Sequence, residues 1–300
     1  MTDKKLIGHL PEPERLEKEH QLKEYEGVDR IVTSLEVKEE LDKTDEGVFK
    51  IPSGVESLDR LHEGGFEGGE MIVVSGPTGQ GKTTLLMSMT RNMVENEIQP
   101  LWFTLEVTPR QFIKKITPEG GVPPLFYLPK ENTDTQIAWL EERIVEAKVK
   151  HDCKVVFLDH LHHIFALTKM EANRNLSWEI GDLAAKLKDM ALAHNIVLFV
   201  IAHTKDDPSG SAREPRMQDI RDSGLIIRLA DSVVGCWRVK NDTELKNTRM
   251  PVIDEGDFKS KVRLWKNRRV GLLGAWFMYH ENHHLKESEH EILGNNNDDW

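Results

Sequence analysis

The segment from Gly76 to Thr83 reads Gly-Pro-Thr-Gly-Gln-Gly-Lys-Thr and has the spacing G-x-x-x-x-G-K-[ST]. Glycines at this spacing let backbone N–H groups turn inward around phosphate oxygens, while Lys82 reaches the outer phosphates and the Thr83 hydroxyl ligates Mg²⁺. The residues expected to line this cradle are Gly76, Pro77, Thr78, Gly79, Gln80, Gly81, Lys82, Thr83 and Thr84. The pattern predicts binding of ATP or another NTP or dNTP together with Mg²⁺.

Three further polar residues follow apolar runs. Asp159 follows Val-Val-Phe-Leu, where a carboxylate would hold Mg²⁺ through water; the alternative is a turn residue or helix cap. Glu106 follows Leu-Trp-Phe-Thr-Leu and would polarise the attacking water; the alternative is a capping or solvated side chain. His203 follows Val-Leu-Phe-Val-Ile-Ala and would sense the terminal phosphate; the alternative is an ordinary hydrogen-bonded histidine.

The elements that must position these residues alternate along the chain. Apolar runs predict strands at residues 71–75, 101–105, 155–158, 197–201, 232–236 and 261–265. Apolar residues at helical spacing predict helices at residues 83–93, 136–150 and 176–194. Continuous apolar strands that alternate with helices indicate an α/β fold with a mostly parallel sheet covered on both faces.

We expect an N-terminal arm and linker helix at residues 1–50, the main domain at 51–285 and an acidic tail at 286–300. Residues 1–27 are polar and rich in Glu and Lys, which predicts a solvated, partly disordered arm. Val28, Ile31, Val32 and Leu35 then fall on one helical face. This stripe would pack either on its own domain or on a neighbouring subunit.

The composition limits the function classes. The 300 residues are 38% hydrophobic, which suits one large α/β domain with appendages or two small domains. Cys153 and Cys236 are the two cysteines, which excludes a zinc site made of cysteines and indicates a reducing compartment. No signal peptide or membrane-spanning run is visible, so we expect a cytoplasmic protein (host cytoplasm if phage-encoded) with no membrane partner. The net charge of −11 argues against simple coating of nucleic acid, although a ring can be acidic outside and basic in its channel.

Six motifs in a fixed order carry a family resemblance: GPTGQGKTT, WFTLEVTPRQF, VVFLDHLHHI, VIAHTK, QDIRDSGLIIRLADSVV and KVRLWKNRRVGLLG. Together they resemble the RecA-like motor domain of hexameric, DnaB-like replicative DNA helicases, most closely the phage and mitochondrial (Twinkle) branch. The resemblance covers residues 52–279. It implies a RecA-like P-loop NTPase core in a homo-hexamer or heptamer. Such a ring would hydrolyse NTP, translocate 5′ to 3′ on single-stranded DNA and unwind duplex.

The same resemblance implies catalytic roles. Glu106 is similar to the catalytic base, and His203 stands at the phosphate-sensing position. Lys266 and Arg268 are similar to the pair that reaches the neighbouring subunit's triphosphate, with Arg268 as the arginine finger and Arg269 as the alternative. An arginine at this place stabilises charge that develops on the γ-phosphate oxygens.

The resemblance implies contacts to the base and to DNA as well. Arg238 would stack on the nucleotide base, with Tyr279 or His280 as its aromatic partner. A loop would bind the DNA backbone, and its candidate residues are Lys205, Arg213, Arg216, Arg221 and Gly224. Phosphate contacts of this kind are sequence-independent and weakened by salt. The alternative is a solvated loop whose acidic residues offset its basic ones, and Asp222 departs from the family pattern.

Two rival functions and two partners remain open. One rival is a RecA-like recombinase, or another RecA-core ATPase that does not unwind duplex, because the sequence of residues 55–70 fits that wider group equally well. A non-motor protein would use nucleotide only to build a ring, as a loader or scaffold. The acidic tail, which ends in Trp300, would either aid solubility or bind a DNA polymerase. No primase module is visible before Ile51, so we expect either a stand-alone helicase or a primase that is a separate protein.

Overall fold

The structure is a computed structural model. It describes residues 6–27, 30–43, 49–117, 121–131, 136–161, 176–205, 214–221, 223–239, 259–281 and 284–287. The chain divides into two compact units, Met1–Gly47 and Val48–Trp300. Arg213, Val28 and the tail beyond Glu287 lie outside the described residues.

The first unit contains a 3-10 turn at Ile7–His9 and two helices, α1 (Glu12–Lys23) and α2 (Ser34–Lys43). α1 has a proline in its first turn, acidic residues at its start and basic residues at its end, which all favour a helix. It buries none of its residues. Residues 12–23 of the arm are therefore helical with solvated side chains, and the partial disorder of the arm stays a prediction.

The helical stripe predicted at residues 28–35 is wrong. Residues 30–33 are not helical, and Ile31 is 97% exposed. α2 begins at Ser34 because Thr33 and Glu36 form a capping box: Thr33 Oγ1 accepts from the Glu36 backbone N–H at 3.1 Å, and the Glu36 carboxylate accepts from Thr33 N–H at 3.4 Å. This T-x-x-E pattern decided the helix start against the apolar spacing.

The second unit is built on an eight-stranded sheet with the order β10-β9-β8-β7-β3-β6-β5-β4. Its strands are β3 (Met71–Gly76), β4 (Leu101–Thr104), β5 (Val155–Asp159), β6 (Val197–His203), β7 (Ser232–Arg238), β8 (Lys259–Asn267), β9 (Gly274–Glu281) and β10 (His284–Glu287). Strands β4, β5, β6, β3 and β7 pair in parallel. Strands β8, β9 and β10 continue the sheet in antiparallel fashion. The predicted mostly parallel α/β sheet is thus confirmed.

Helices cover both faces of this sheet. They are α3 (Glu56–Leu61), α4 (Lys82–Glu95), α5 (Pro109–Ile116), α6 (Ile137–His151), α7 (Leu176–His194) and α8 (Ser223–Leu229). A small antiparallel pair, β1 (Lys50–Ile51) and β2 (Phe66–Glu67), precedes most of them in the chain. No helix among the described residues is both long enough and apolar enough to span a membrane.

Alternating strand residues divide the core into two layers. Ile72 and Val74 of β3 pack in one cluster with residues of α3, α4 and α5. Met71 and Val73 pack in the other with residues of α6, α7 and α8. Because side chains alternate across a strand, a fully apolar β3 can serve both layers.

Apart from the stripe at residues 28–35, the predicted strands and helices lie within or nearly match observed ones, and the helix at residues 176–194 agrees at both ends. Elements α3, α5, α8, β9 and β10 were not predicted from the sequence. The predicted acidic tail also begins too early, because residues 286–287 belong to β10. There the Glu287 carboxylate accepts from the Ser57 backbone N–H at 3.0 Å at the start of α3, and from the Ser57 hydroxyl.

Candidate nucleoside triphosphate site

The carboxyl ends of the five parallel strands meet at one edge of the sheet. Gly76, Asp159, His203 and Arg238 are the last residues of β3, β5, β6 and β7, and Glu106 lies two residues beyond β4. β3 lies beside β7 in the sheet, and the chain leaves β3 toward β4 on one side but leaves β7 toward β8 on the other. Open α/β sheets form a ligand crevice at such a switch point. The structure therefore brings these predicted site residues to one edge.

The predicted phosphate-binding loop runs from Gly76 into α4. A Cβ at Gly76 would lie 2.1 Å from the Cys236 carbonyl oxygen of the neighbouring strand, so this close approach requires glycine. Gly79 and Gly81 have φ angles of 73° and 103°, in the region that glycine adopts without steric cost. Gly81 is also the residue that caps the amino end of α4, where backbone amides and the helix dipole favour an anion.

Lys82 is folded back over this loop. Its ammonium donates to the carbonyl oxygens of Gly76 and Pro77, both at 2.8 Å. The side chain is buried, and burial lowers the pKa of the ammonium. Nearby acidic groups partly offset this lowering. A cation held here by loop carbonyls is placed where outer phosphates would lie.

Thr83 and Asp159 form the candidate magnesium pair. Thr83 Oγ1 donates to Asp159 Oδ2 at 2.9 Å. Asp159 is 4% exposed, and its burial raises the pKa of the carboxyl to about 6, although the Thr83 hydrogen bond opposes this shift. A hydroxyl and a carboxylate are both oxygen donors, the type that Mg²⁺ takes in proteins. The donor set thus fits the ion.

A histidine that was not predicted from the sequence completes the outer part of the site. His160 Nε2 lies 4.0 Å from Glu106 Oε2, and the rings of His160 and His203 meet edge to face with centroids 4.4 Å apart. His203 Nδ1 is 3.5 Å from Thr78 Oγ1, which ties it to the loop. His160 directly follows Asp159, so its place after the same strand was the available signal.

The base-binding candidates lie on the β7 side of the loop. The Arg238 backbone N–H donates to Gln80 Oε1 at 3.0 Å, which joins the end of β7 to the loop. His280 Nε2 lies 3.4 Å from Ser260 Oγ, and a Cβ at Gly81 would meet the same hydroxyl at 3.6 Å. Since strand residues alternate between faces, Tyr279 points to the other face of β9. Of the two predicted aromatic partners, His280 has the better position.

Lys266, Arg268 and Arg269 lie at the opposite edge of the sheet, where the parallel strands β3 and β7 begin. β8 runs antiparallel to β7, and Asn267 pairs with Ser232 at the beginning of β7. Arg268 N–H donates to the Asp231 carbonyl at 2.8 Å, and Asp231 N–H donates to the carbonyl of Met71, the first residue of β3. The structure therefore does not bring this group to the loop of its own chain.

The three basic side chains at this edge have different surroundings. The Lys266 ammonium donates to the carbonyls of Ile227 and Ala230, both at 2.6 Å, at the carboxyl end of α8. Burial lowers its pKa. The side chain of Arg268 is 51% exposed and reaches Asp231 Oδ1 at 3.2 Å. Arg269 is 21% exposed; its partners are Glu67, Glu70 and the carbonyls of His62 and Gly65.

Two of the DNA candidates meet at the base of the loop after β6. Lys205 N–H donates to the Asp219 carbonyl at 2.7 Å, and Arg221 N–H donates to the His203 carbonyl at 2.9 Å. Both residues are exposed, as are Arg216 and Gly224, the latter in α8. Arg213 lies outside the described residues. The main chain thus links Arg221 directly to the predicted phosphate sensor.

The mostly parallel sheet and the glycine-rich loop at the carboxyl ends of its strands define a RecA-like P-loop nucleotide-binding domain. The family model for the DnaB-like helicase C-terminal domain matches residues 126–286, and a model for the KaiC ATPase matches residues 51–121. The chain therefore belongs to the DnaB-like helicase C-terminal domain family.

Individual relatives agree with this assignment. The chain is 26% identical over 225 residues to the replicative DNA helicase DnaB of Treponema pallidum, covering 65% of this chain and 49% of that protein. It is 25% identical over 251 residues to DnaB of Mycoplasma pneumoniae, covering 73% and 52%. The chain thus spans about half the length of these relatives.

Two solved structures share the fold at low sequence identity. One is a DnaB-like replicative helicase described with its interactions with primase, at 17% identity and a TM-score of 0.65, covering 91% of this chain and 71% of that chain. The other is a KaiC-like protein from the archaeon Pyrococcus horikoshii, at 15% identity and a TM-score of 0.54, covering 81% and 100%.

Proposed function

We propose that this chain is the NTP-hydrolysing motor of a ring-shaped replicative DNA helicase that moves 5′ to 3′ along single-stranded DNA and unwinds duplex. Membership of the family supports the class of activity, and the strand-end site supports hydrolysis. The observation that carries the ring is the position of Arg268 at the edge opposite the phosphate-binding loop.

One half of the active site would come from a single chain. The amides of residues 76–81 would surround the polyphosphate, and Lys82 would neutralise its outer oxygens. Thr83 and Asp159 would hold Mg²⁺, which when bound offsets charge on the β- and γ-phosphate oxygens. Glu106 would accept the proton of the attacking water, and His203 would donate a hydrogen bond to the γ-phosphate.

The other half would come from a neighbouring chain. Five steps of about 3.3 Å separate Met71 from Gly76 along β3, roughly 16 Å in all. The Arg268 guanidinium is hydrogen-bonded to Asp231, beside Met71, and so would not reach the phosphates of its own chain. A head-to-tail contact between copies would put Arg268 at the next loop, and repetition of that contact forms a ring when the rotation between copies closes. We therefore infer a homo-oligomer, with the family's hexamer as the expected form.

The surroundings of the two arginines favour Arg268 as the finger. Arg269 is occupied by two carboxylates and two carbonyls of residues 62–70, so its release would break several partly buried bonds. Arg268 is half-exposed and bonds to the Arg228 carbonyl and to the buried Asp231, whose carboxylate also pairs with Lys188. Its guanidinium would exchange them for phosphate oxygens at a lower cost.

DNA binding would be coupled to hydrolysis at the loop after β6. Arg221 and Lys205 would contact backbone phosphates, together with Arg213, Arg216 and Gly224. Because Arg221 N–H bonds to the carbonyl of His203, a movement at the γ-phosphate sensor would shift the DNA contact directly.

The discriminating experiment combines forked-duplex unwinding with NTP hydrolysis, with and without single-stranded DNA. NTP-dependent unwinding that Glu106→Gln abolishes is the expected result. DNA-stimulated hydrolysis without unwinding would instead indicate a recombinase or another non-unwinding ATPase. Hydrolysis that ignores DNA would indicate a nucleotide-assembled scaffold or loader.

We also propose two protein partners. A primase is the first, by analogy with the fold neighbour described with its interactions with primase. The second is a DNA polymerase that binds the acidic residues 288–300 and Trp300, since an acidic, aromatic-ended segment suits a basic pocket with apolar walls.

A further inference from the structure

Glu106, His160 and His203 form a cluster at the ends of three neighbouring strands, β4, β5 and β6. One potential ligand atom from each residue lies within 4.8 Å of the other two. Among the described residues this is the one group of three or more His, Cys, Asp or Glu side chains with that geometry. Neighbouring strand ends in one sheet place such side chains close together.

The donor types differ from those of the magnesium pair. Two imidazole nitrogens and one carboxylate oxygen are the ligands of open zinc sites, which keep a fourth position for water. Mg²⁺ instead prefers an octahedron of oxygens. Imidazole favours Zn²⁺ and similar transition ions. The cluster therefore suits a different ion from the one that Thr83 and Asp159 would bind.

We infer that Glu106, His160 and His203 form a binding site for Zn²⁺ or a chemically similar divalent ion. Zinc bonds of about 2.1 Å in a tetrahedron put ligand atoms roughly 3.4 Å apart, so the cluster must contract. Glu106 can supply that movement because its side chain is 45% exposed, whereas the side chain of His160 is only 11% exposed. His203 already contacts His160 edge to face.

The inference concerns regulation of the proposed hydrolysis and rests on that proposal in one respect. Glu106 and His203 are the groups proposed to face the attacking water and the γ-phosphate. An ion on both of them would occupy that place and withdraw the base. Metal binding and NTP binding would therefore exclude each other, and a metal-loaded subunit would be held inactive.

Cobalt titration tests the site without any turnover. The full chain, stripped of metal with EDTA, is titrated with CoCl₂, because Co²⁺ bound at low coordination by nitrogen and oxygen absorbs visible light. We expect one such ion per chain and its displacement by one equivalent of Zn²⁺. His160→Asn should weaken cobalt binding at least tenfold, and Glu106→Gln should do the same.

The matched control is His194→Asn. His194 bonds to Glu141 at 2.8 Å, a pair between α6 and α7, and its loss should leave the cobalt spectrum unchanged. Circular dichroism checks that each variant is folded. If His160→Asn does not fold, the Glu106→Gln variant still tests the site. An unchanged cobalt spectrum in a folded His160→Asn or Glu106→Gln variant would overturn the site.

Competition tests the regulatory part. A non-hydrolysable NTP with excess Mg²⁺ should remove the cobalt absorption. Zn²⁺ should inhibit hydrolysis in competition with NTP, and EDTA should reverse this inhibition. Simultaneous binding of cobalt and nucleotide would refute the exclusion. Failure of the parent proposal gives a different result, because a chain that cannot unwind DNA would still bind cobalt at this cluster.

Discussion

At the residue scale, the charge of Asp159 would decide whether the proposed site can hold Mg²⁺. Burial raises its pKa to about 6, so the carboxyl is mostly neutral below that pH and mostly ionised above it. A neutral carboxyl does not retain Mg²⁺. Metal-dependent nucleotide binding should therefore be lost as the pH falls through about 6.

The test is to measure the affinity for Mg²⁺ and a fluorescent NTP analogue between about pH 5 and 7.5. At pH 5 the ionised fraction is about a tenth, so the affinity should be about tenfold weaker than at pH 7. Asp159→Asn is the control, because protonation of the nucleotide itself affects both proteins equally. Parallel pH curves for the two proteins would contradict the prediction.

The neighbouring arginines make a second residue-scale prediction. Arg268→Ala should keep NTP binding and lower turnover about a thousandfold, since the finger acts on charge that develops in the transition state. Arg269→Ala should instead lower the free energy of unfolding by on the order of 2 kcal/mol, because its partly buried partners lose their bonds. Denaturant melts and steady-state rates separate the two effects, and a reversal of the two phenotypes would exchange the assignments.

At the scale of elements, α8 connects the proposed DNA loop to the proposed finger. Its first turn contains Gly224, close to Arg221, and its last carbonyls accept from Lys266 and Arg268. A seven-residue helix is about 10 Å long. One short, rigid element therefore contacts the proposed DNA loop at one end and the proposed finger at the other. Movement of the loop should therefore move the finger as well.

Lys266→Met tests this connection. The variant removes the ammonium from the end of α8, so the ratio of DNA-stimulated to basal hydrolysis should fall several-fold. Lys286→Met is the matched control, because Lys286 is half-exposed and forms its ion pair with Glu281 on the edge strands. If both variants keep the wild-type ratio, α8 does not transmit the signal.

The edge strand β10 sets where the tail can be removed. Deletion of residues 288–300 should leave NTP hydrolysis intact and weaken only polymerase binding. Deletion of residues 284–300 should also lower the free energy of unfolding by about 3 kcal/mol, because it removes the buried Leu285 and the Glu287 bonds to Ser57. Thermal melts and polymerase pull-down distinguish the deletions, and equal stability of the two would contradict the role given to β10.

At the scale of the whole molecule, the proposed site is complete only between copies. The phosphate-binding loop and Arg268 occupy opposite edges of one sheet, which supports the head-to-tail contact proposed above. The net charge of −11 does not oppose this arrangement, because a ring can confine its basic residues to the channel.

Mixed rings test the completion in trans. Arg268→Ala keeps the base but lacks the finger, and Glu106→Gln keeps the finger but lacks the base. Each variant alone should therefore be nearly inactive. Mixed before assembly, they should recover part of the turnover, because a finger from a Glu106→Gln chain would serve the loop of an Arg268→Ala chain. A mixture no more active than its components would show that the finger acts on its own chain.

Local sequence patterns were sufficient to predict the glycine-rich loop before α4, the principal strands and the alternation that makes a mostly parallel sheet. These features depend on residue types and spacing within short segments, such as the glycines of residues 76–81 and the apolar run of β3. The capping box at Thr33 was equally local, and its neglect explains the misplaced helix start.

Which distant residues meet could be learned only from the folded chain. Folding joins His160 to Glu106 and His203, and it places Glu287 in the sheet with a bond to Ser57. It also puts Arg268 at the far edge, because the direction of β8 depends on strand pairing over long distances in the chain. Such pairing reflects burial shared by many elements, which no local pattern encodes.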